Sequence, residues 1–229
     1  MKSLFIVKMF NYFMGEIQQK KKELVEICRL VYKHELVKLG EGNISLRVSD
    51  KNEMIITPTE NDYENLKIED MVHIGFNGEN FDAPKSPTSE YILHRNIYQE
   101  RQKVNCILHT HSPYSSILAV LHHDLPVLFE EMTLFLGGGV KCSEYAPAGT
   151  EQLPVNALKA MKKQNAVILA NHGVLVVGRS SEYCVKAAVI IEKMAKIYVY
   201  AKKIGEVKII SKENQEKFIK IFNEKYSTI

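Results

Sequence analysis

The sequence predicts a single α/β domain of three layers, in which a central, mainly antiparallel β-sheet is flanked by helices. Two observations support this prediction. Stretches with apolar residues at helical spacing alternate with short apolar runs bounded by turn residues, which is typical of a sheet covered by helices. The 229 residues contain no linker, internal repeat or low-complexity tract, and with 45% hydrophobic residues they suffice for one large core.

The first long element is an amphipathic helix. Its apolar residues recur at helical spacing from about residue 16 to residue 39, and Gly40 can end it in the left-handed conformation. Residues 1–14 precede this pattern and are predicted to form a disordered N-terminal extension. Lys8 interrupts their apolar character and no small-residue cleavage site follows, so a secretory signal peptide is not predicted.

Short extended runs follow the first helix and are separated by polar turns, which predicts a meander of antiparallel strands. These runs are residues 43–48, 54–57 and 71–76. Thr88 or Ser89 can then cap a helix that reaches about Arg101. The next strand begins at Val104. Ser112-Pro113 starts another helix, because serine suits the cap and proline suits the first helical position.

The second half continues the alternation of helices and strands. The predicted elements are a short strand near Val140, a helix over 151–163, strands over 166–170 and 174–177, and a helix from Ser180 to Gly205. Asn171-His172-Gly173 forms the turn between the last two strands, since Asn and Gly tolerate positive φ. The predicted domain covers residues 15–205, and residues 206–229 form a C-terminal tail with a short helix around 218–222.

Charge and cysteine content narrow the class of protein. The 30 basic and 27 acidic residues are mostly interspersed, so a net charge of +3 gives no reason to expect a nucleic-acid partner. No segment reaches the roughly 20 uninterrupted apolar residues that span a bilayer, so no membrane partner is expected. The four cysteines form no C-x-x-C pair, which gives no thiolate zinc site and fits reduced thiols in a cytoplasmic protein.

The most informative motif is His109-Thr110-His111, at the end of a predicted buried strand. Residues i and i+2 of a strand point to the same face, so both imidazoles are directed to one point. A third imidazole from a distant loop, with a carboxylate or water, would complete a tetrahedral zinc shell of the catalytic type. His172 and Glu90 are the candidate partners. The pair alone is weak support for a metal, because a hydrogen-bonded strand end has the same pattern.

Six motifs in chain order resemble those of the class II aldolase and adducin family, across about residues 15–205. The motifs are Gly42-Asn43-Ile44-Ser45, Ile56-Thr57-Pro58-Thr59, Pro87-Thr88-Ser89-Glu90, His109-Thr110-His111-Ser112-Pro113-Tyr114, Tyr145-Ala146-Pro147-Ala148-Gly149-Thr150 and Asn171-His172-Gly173. The resemblance implies one zinc ion per subunit, or another divalent metal, bound by His109, His111 and His172. It also implies that Glu90 is the catalytic carboxylate and ligates the metal before the substrate arrives.

By this resemblance the protein is a class II, metal-dependent aldehyde-lyase. It would cleave a ketose 1-phosphate such as L-fuculose 1-phosphate to dihydroxyacetone phosphate and an aldehyde. Cleavage beside a carbonyl leaves an enediolate whose negative charge needs a counterion, and zinc supplies it as a Lewis acid. A substrate that chelates the metal would displace Glu90 and free this carboxylate to move protons.

The resemblance assigns substrate binding to residues that offer hydroxyls, amides and backbone N–H groups. These residues are Gly42, Asn43, Thr59, Thr88 and Ser89. A capped helix start near Ser89 suits a phosphate, because free N–H groups there attract anions. The same residue types are also common in turns and caps that bind no ligand.

Three residues depart from the pattern of the family's aldolases. Glu60 stands where those enzymes usually have glycine, and it would place a carboxylate beside the bound phosphate. Ala148 replaces a bulky aromatic residue, and Glu130 lies where they have an active-site tyrosine. We predict that Glu130 is a second catalytic carboxylate, and a solvated surface residue is the alternative.

The resemblance leaves several alternatives open. They are a sugar-phosphate dehydratase of the methylthioribulose-phosphate type, a 4-epimerase and a non-catalytic, adducin-like interaction domain. The same metal shell could also activate water in a hydrolase. Family members usually form tetramers, which implies a homo-oligomer. The other histidines lack partners at ligand spacing and are predicted as surface or hydrogen-bonded core residues, namely His34, His73, His94, His122 and His123.

Overall fold

A seven-stranded sheet forms the centre of the protein, for which a computed structural model describes residues 2–49, 51–59, 62–82 and 85–229, with side chains from residue 15 onward. The helices of the described chain are α1 (Lys2–Lys33), α2 (Tyr91–Glu100), α3 (Pro113–Val120), α4 (Glu130–Leu136), α5 (Gln152–Met161), α6 (Ser181–Ile204) and α7 (Lys212–Lys225). Its strands are β1 (Asn43–Arg47), β2 (Glu53–Ile56), β3 (Val72–Gly75), β4 (Cys106–Thr110), β5 (Lys141–Cys142), β6 (Ala166–Leu169) and β7 (Gly173–Gly178). None of these helices is both long enough and apolar enough to cross a membrane.

The strands lie in the order β3-β2-β1-β4-β7-β6-β5. Every pairing is antiparallel except that of the short edge strand β5, which runs parallel to β6. The mainly antiparallel sheet predicted from the sequence is therefore confirmed. Strand β4 lies in the middle of the sheet, between β1 and β7, so the side chains at its end are enclosed by both neighbours.

Helices cover both faces of this sheet. Along β4, Cys106 and Leu108 join a core formed with α1 and α6, whereas Ile107 joins a second core formed with α2 and α5. Because both faces are buried, the central strands read as continuous apolar runs rather than as alternating patterns. The predicted three-layer arrangement is confirmed. By the same alternation, His109 and His111 lie on the face of the sheet that carries α2.

Helix α1 differs from the prediction at both ends. It begins at Lys2, whereas the predicted helix begins near residue 16, and the disorder predicted for residues 1–14 stays a prediction. It ends at Lys33 rather than near residue 39, because the chain turns where Glu35 and Leu39 adopt positive φ angles of 56° and 46°. The domain boundaries at residues 15 and 205 stay a prediction.

The C-terminal residues, predicted as a polar tail, pack against the rest of the domain. Helix α7 is longer than the helix predicted over 218–222, and Phe222 is buried against Gly137 at the end of α4. Thr228 is also buried and donates a 2.9 Å hydrogen bond to Asn165 Oδ1. Phe222 and Thr228 therefore contribute buried side chains to the domain.

Candidate metal centre

The two histidines of the H-x-H motif meet at the carboxyl end of β4. His109 is fully buried, since it pairs in register with Asn43 on β1 and with Leu175 on β7. Its Nδ1 atom donates a 3.0 Å hydrogen bond to the carbonyl oxygen of Val174, so its Nε2 atom carries the free lone pair. The Nε2 atom of His111 lies 2.9 Å from that atom. The two imidazoles converge, as the strand spacing predicts.

His172 reaches the same point from the turn between β6 and β7. Asn171 adopts a positive φ of 51° in this turn, and its N–H donates a 3.0 Å hydrogen bond to the carbonyl oxygen of Ala119 on α3. The Nε2 atom of His172 lies 3.2 Å from that of His109. Two nitrogens bound to one tetrahedral zinc ion at about 2.0–2.1 Å are ~3.3 Å apart, so this spacing suits a metal ion.

Glu90, the residue before α2, brings a buried carboxylate to the histidines. Its Oε1 atom lies 3.0 Å from His172 Nε2, and its Oε2 atom lies 3.4 Å from His109 Nε2. Asn43 donates a 2.6 Å hydrogen bond to Oε2, whereas Oε1 has no hydrogen-bond donor among the described residues. A divalent cation would satisfy this buried oxygen and the lone pairs of the three converging imidazoles together.

Burial sets the protonation states of this cluster. It lowers the pKa of His109 to about 3 and also lowers the pKa of His111. Burial alone would raise the pKa of Glu90, but the adjacent His109 and His172 and the amide of Asn43 outweigh burial and hold that pKa below its usual range. Neutral imidazoles at His109 and His111 beside the carboxylate of Glu90 are protonation states that suit metal binding. The residues present therefore fit a divalent cation such as zinc.

Three residues predicted to bind substrate lie near the start of α2. An antiparallel bridge between Pro58 and Pro87 brings Thr59 next to the segment that carries Thr88 and Ser89. Thr88 is buried, whereas Thr59 and Ser89 are exposed to solvent. The structure thus brings these hydroxyls to one region, and their contact with a phosphate stays a prediction.

Gly42 and Asn43 act within the protein. Gly42 has a φ of 71°, and a Cβ atom at this position would lie 2.4 Å from the carbonyl oxygen of His109. Glycine therefore permits the close approach of the chain to the end of β4. Both ends of the Asn43 amide are engaged, one with Glu90 and the other with His94. The Asn43 side chain thus contacts two protein groups, and substrate binding by Gly42 and Asn43 stays a prediction.

Two acidic residues singled out from the sequence, Glu130 and Glu60, are not part of the histidine cluster among the described residues. Glu130 is exposed at the first position of α4, and no hydrogen bond or ion pair of the described residues joins it to the histidines, so its catalytic role stays a prediction. Glu60 lies outside the described residues.

Glu41 was not singled out from the sequence, yet its charge acts on the pKa of His111 and opposes the effect of burial. Its place directly before the Gly42 motif was the available signal.

We expect the Gly173→Ala variant to bind metal about 10–100-fold more weakly than the wild type. A Cβ atom at Gly173 would lie 2.3 Å from the carbonyl oxygen of Thr110 and 2.8 Å from Cδ2 of His111, so the His111 ring must move. The overpacking should also lower the free energy of unfolding by about 1–3 kcal/mol. Titration with zinc in a competing chelator and thermal denaturation measure the two effects.

Gly15 provides the matched control for this substitution. It lies in α1, and a Cβ atom there would meet nothing within 4 Å. The Gly15→Ala variant should therefore keep the metal affinity of the wild type and gain about 0.5–1 kcal/mol of helix stability. If Gly173→Ala binds metal as tightly as Gly15→Ala, the close packing of β7 against the histidines does not shape the site.

Comparison with known proteins places this fold and site in one family. Residues 22–199 match the family model described as the class II aldolase and adducin N-terminal domain. The 5-deoxy-D-ribulose 1-phosphate aldolase of Bacillus thuringiensis serovar kurstaki is 32% identical over 206 residues, which cover 90% of this chain and 96% of that protein. The L-fuculose phosphate aldolase of Haemophilus influenzae is 28% identical over 203 residues, covering 88% of this chain and 91% of the relative.

Two further relatives extend the match. The 5-methylthioribulose-1-phosphate/5-deoxyribulose-1-phosphate aldolase of Rhodospirillum rubrum is 33% identical over 87% of this chain and 89% of its own length. A solved structure of L-fuculose 1-phosphate aldolase superposes with a TM-score of 0.85 at 34% identity, covering 90% of this chain and 96% of that one. The chain belongs to the class II aldolase and adducin family and is an enzyme of the aldolase lyase type.

Proposed function

We propose that this chain is a zinc-dependent aldolase that cleaves a ketose 1-phosphate to dihydroxyacetone phosphate and an aldehyde. The observation that supports this most strongly is the cluster of three histidine nitrogens, which lie within 4.8 Å of one another, beside the ionised carboxylate of Glu90. The relatives named for 5-deoxyribulose 1-phosphate and L-fuculose 1-phosphate act on deoxyketoses. We therefore propose a deoxyketose 1-phosphate, such as L-fuculose 1-phosphate, as the substrate class.

Each residue of the cluster has a role in this proposal. His109, His111 and His172 would hold the zinc ion, with Glu90 as a further ligand in the resting enzyme. Zinc bound there supplies a Lewis acid that stabilises the negative charge formed when the carbon–carbon bond beside the carbonyl breaks. Glu90 would accept the proton that the substrate hydroxyl loses as the aldehyde forms, and would return it to the carbon beside the carbonyl, so the protons balance. Its Oε1 atom has no donor of its own and can hold that proton.

The phosphate of the substrate would bind near the start of α2. Thr59, Thr88 and Ser89 offer hydroxyls there, and the first N–H groups of a ten-residue helix attract anions. Gly42 keeps the neighbouring backbone close to β4. We assign the phosphate to this region because hydroxyl and backbone N–H donors can bind a phosphate without a lysine or arginine.

Incubation of the zinc-loaded protein with 5-deoxy-D-ribulose 1-phosphate and with L-fuculose 1-phosphate tests the proposal. We expect dihydroxyacetone phosphate from both, in a 1:1 ratio to acetaldehyde or lactaldehyde, and no product after treatment with a chelator. A coupled NADH assay measures the ketone product, and mass spectrometry identifies the aldehyde. Loss of water without chain cleavage would indicate the dehydratase instead, and no reaction with either compound would exclude the proposed activity.

The family resemblance also leads us to propose a homotetramer in the cytoplasm. The four cysteines remain free thiols in the structure, and three of them are buried. Sedimentation equilibrium of the zinc-loaded protein measures the assembly, and a species with the mass of one chain would contradict the tetramer.

A further inference from the structure

A line of buried polar side chains leads from Glu90 into the core between α2 and β1. Asn43 Nδ2 donates to Glu90 Oε2 over 2.6 Å, and Asn43 Oδ1 lies 2.6 Å from His94 Nε2. The Nδ1 atom of His94 lies 2.7 Å from Ser45 Oγ, which in turn lies 2.8 Å from the hydroxyl of Tyr98. His94 and Tyr98 lie on α2, four and eight residues after Glu90, so one face of this helix presents all three residues to β1.

The chemistry of the groups determines the direction of the hydrogen bonds between Glu90 and Ser45. The Asn43 NH2 group donates to Glu90 Oε2, so the Asn43 oxygen faces His94. That oxygen requires a donor, and His94 must therefore carry its proton on Nε2. Its Nδ1 atom then accepts from the Ser45 hydroxyl. The Tyr98 hydroxyl lies 2.8 Å from Ser45 Oγ and donates a 3.0 Å hydrogen bond to the Ser45 carbonyl oxygen, so it closes the line at its far end.

His94 is well suited to hold a fixed tautomer. Its side chain has no exposed surface, and both ring nitrogens have a partner at hydrogen-bond distance. Burial lowers the pKa of His94 to about 4, so the ring is neutral at neutral pH and acts as donor at one nitrogen and acceptor at the other. His94 is thus a hydrogen-bonded core residue, which is one of the two predicted alternatives. Through Asn43 it is connected to Glu90.

We propose that His94 is a positioning residue that aims the Glu90 carboxylate at the histidine cluster through Asn43. This inference rests on the proposed function, because it assigns Glu90 the movement of a proton. The Nε2–H group of His94 prevents the Asn43 amide from turning over. A turned amide would present its oxygen to the Glu90 carboxylate, and the repulsion between the two oxygens would move Oε1 away from His172.

The His94→Leu variant tests the proposal against its conservative counterpart His94→Gln. Leucine offers no donor to Asn43, whereas the glutamine amide can donate to Asn43 and accept from Ser45. We expect kcat per bound metal to fall about 10–100-fold in His94→Leu, with little change in KM, and to recover in large part in His94→Gln. An unchanged kcat per bound metal in His94→Leu, or a His94→Gln variant no better than His94→Leu, would overturn the proposal.

His73 supplies a matched control. It is a buried histidine on β3, two strands away from Asn43, and its Nε2 atom lies 2.8 Å from Glu53 Oε2. The His73→Leu variant should lose stability through its buried polar partners but keep kcat per bound metal. An equal loss of kcat in His73→Leu and His94→Leu would show that any buried histidine has this effect, and would contradict a specific role for His94.

A second measurement uses the unmodified protein and needs no activity. Selective 15N labelling of histidine and NMR at neutral pH report which ring nitrogen of His94 carries the proton. We expect the Nε2–H tautomer in the full chain. The Nδ1–H tautomer would reverse the line of hydrogen bonds and overturn the proposal. This result is independent of the sugar phosphate assay, so failure of the proposed aldolase reaction and failure of the positioning role are distinguishable.

Discussion

The His109→Ala variant is expected to lose its bound metal and to cleave its substrate at least ~1000-fold more slowly than the wild type. The Nε2 atom of His109 lies 2.9 Å from that of His111 and 3.2 Å from that of His172, so it is close to both other nitrogens of the cluster. Its removal leaves two imidazoles and the Glu90 carboxylate. Because the substrate is proposed to displace Glu90, only two protein ligands would then remain, fewer than the three of a catalytic zinc site. A Lewis acid that contributes about 4 kcal/mol to the transition state accounts for the factor, since each ~1.4 kcal/mol is tenfold in rate.

Metal content by mass spectrometry and kcat by the coupled assay measure this effect, and circular dichroism checks that the variant is folded. The control is His123→Ala, because His123 is exposed and is not among the three clustered histidines. It should keep both metal and activity. A His109→Ala variant with one metal ion per chain and the wild-type kcat would contradict a metal site built on these histidines.

The parts of the site that the sequence predicts well are those set by local geometry. Two residues apart on a strand, His109 and His111 had to share a face wherever β4 lies in the sheet. The turn at Asn171 requires a residue that tolerates positive φ, which the sequence supplies. At α6, the predicted cap Ser180 accepts a 3.3 Å hydrogen bond from the N–H of Tyr183. In each case the neighbouring residues determine the conformation.

The parts that the sequence does not predict depend on which strands and helices become neighbours. His94 reaches Asn43 only because β1 lies next to β4 and α2 packs on that face, and neither pairing follows from local spacing. The prediction that Thr88 or Ser89 caps α2 was wrong for a related reason. Glu90 occupies the cap position, and its carboxylate turns to the histidines instead of to the helix N–H groups.

The position of Glu90 depends both on the local geometry of the helix start and on which strands lie next to α2. No side chain caps α2 at Glu90, and the N–H groups of Tyr91 and Leu93 donate instead to the carbonyl oxygens of Thr88 and Glu90. The residues before Glu90 are those that the family resemblance assigns to phosphate. Because the Glu90 carboxylate does not cap the helix, it is free to face His109 and His172. The exposed Glu130 has no comparable constraint, so neither its sequence position nor its surroundings determine its role.

The Glu90→Gln variant is expected to keep its metal and lose about 100- to 10,000-fold in kcat. Glutamine has the shape of glutamate, and its carbonyl oxygen can still accept the hydrogen bond from Asn43, so the fold should persist. The three histidines remain as ligands, which suffice for a catalytic metal site. What the variant lacks is a group that can hold a proton, and the carbon beside the carbonyl then has no efficient proton donor.

Measurement of proton exchange distinguishes proton transfer by Glu90 from an effect of its negative charge. In D2O, the wild type should exchange one carbon-bound hydrogen of dihydroxyacetone phosphate without any aldehyde present, and Glu90→Gln should not. The matched control is Glu41→Gln, which removes one negative charge that acts on His111 but belongs to an exposed side chain outside the cluster. Because Glu41 is not assigned the proton, this variant should exchange at a rate within about tenfold of the wild type. Equal losses in both variants would mean that the negative charge near the metal, and not proton transfer by Glu90, limits the reaction.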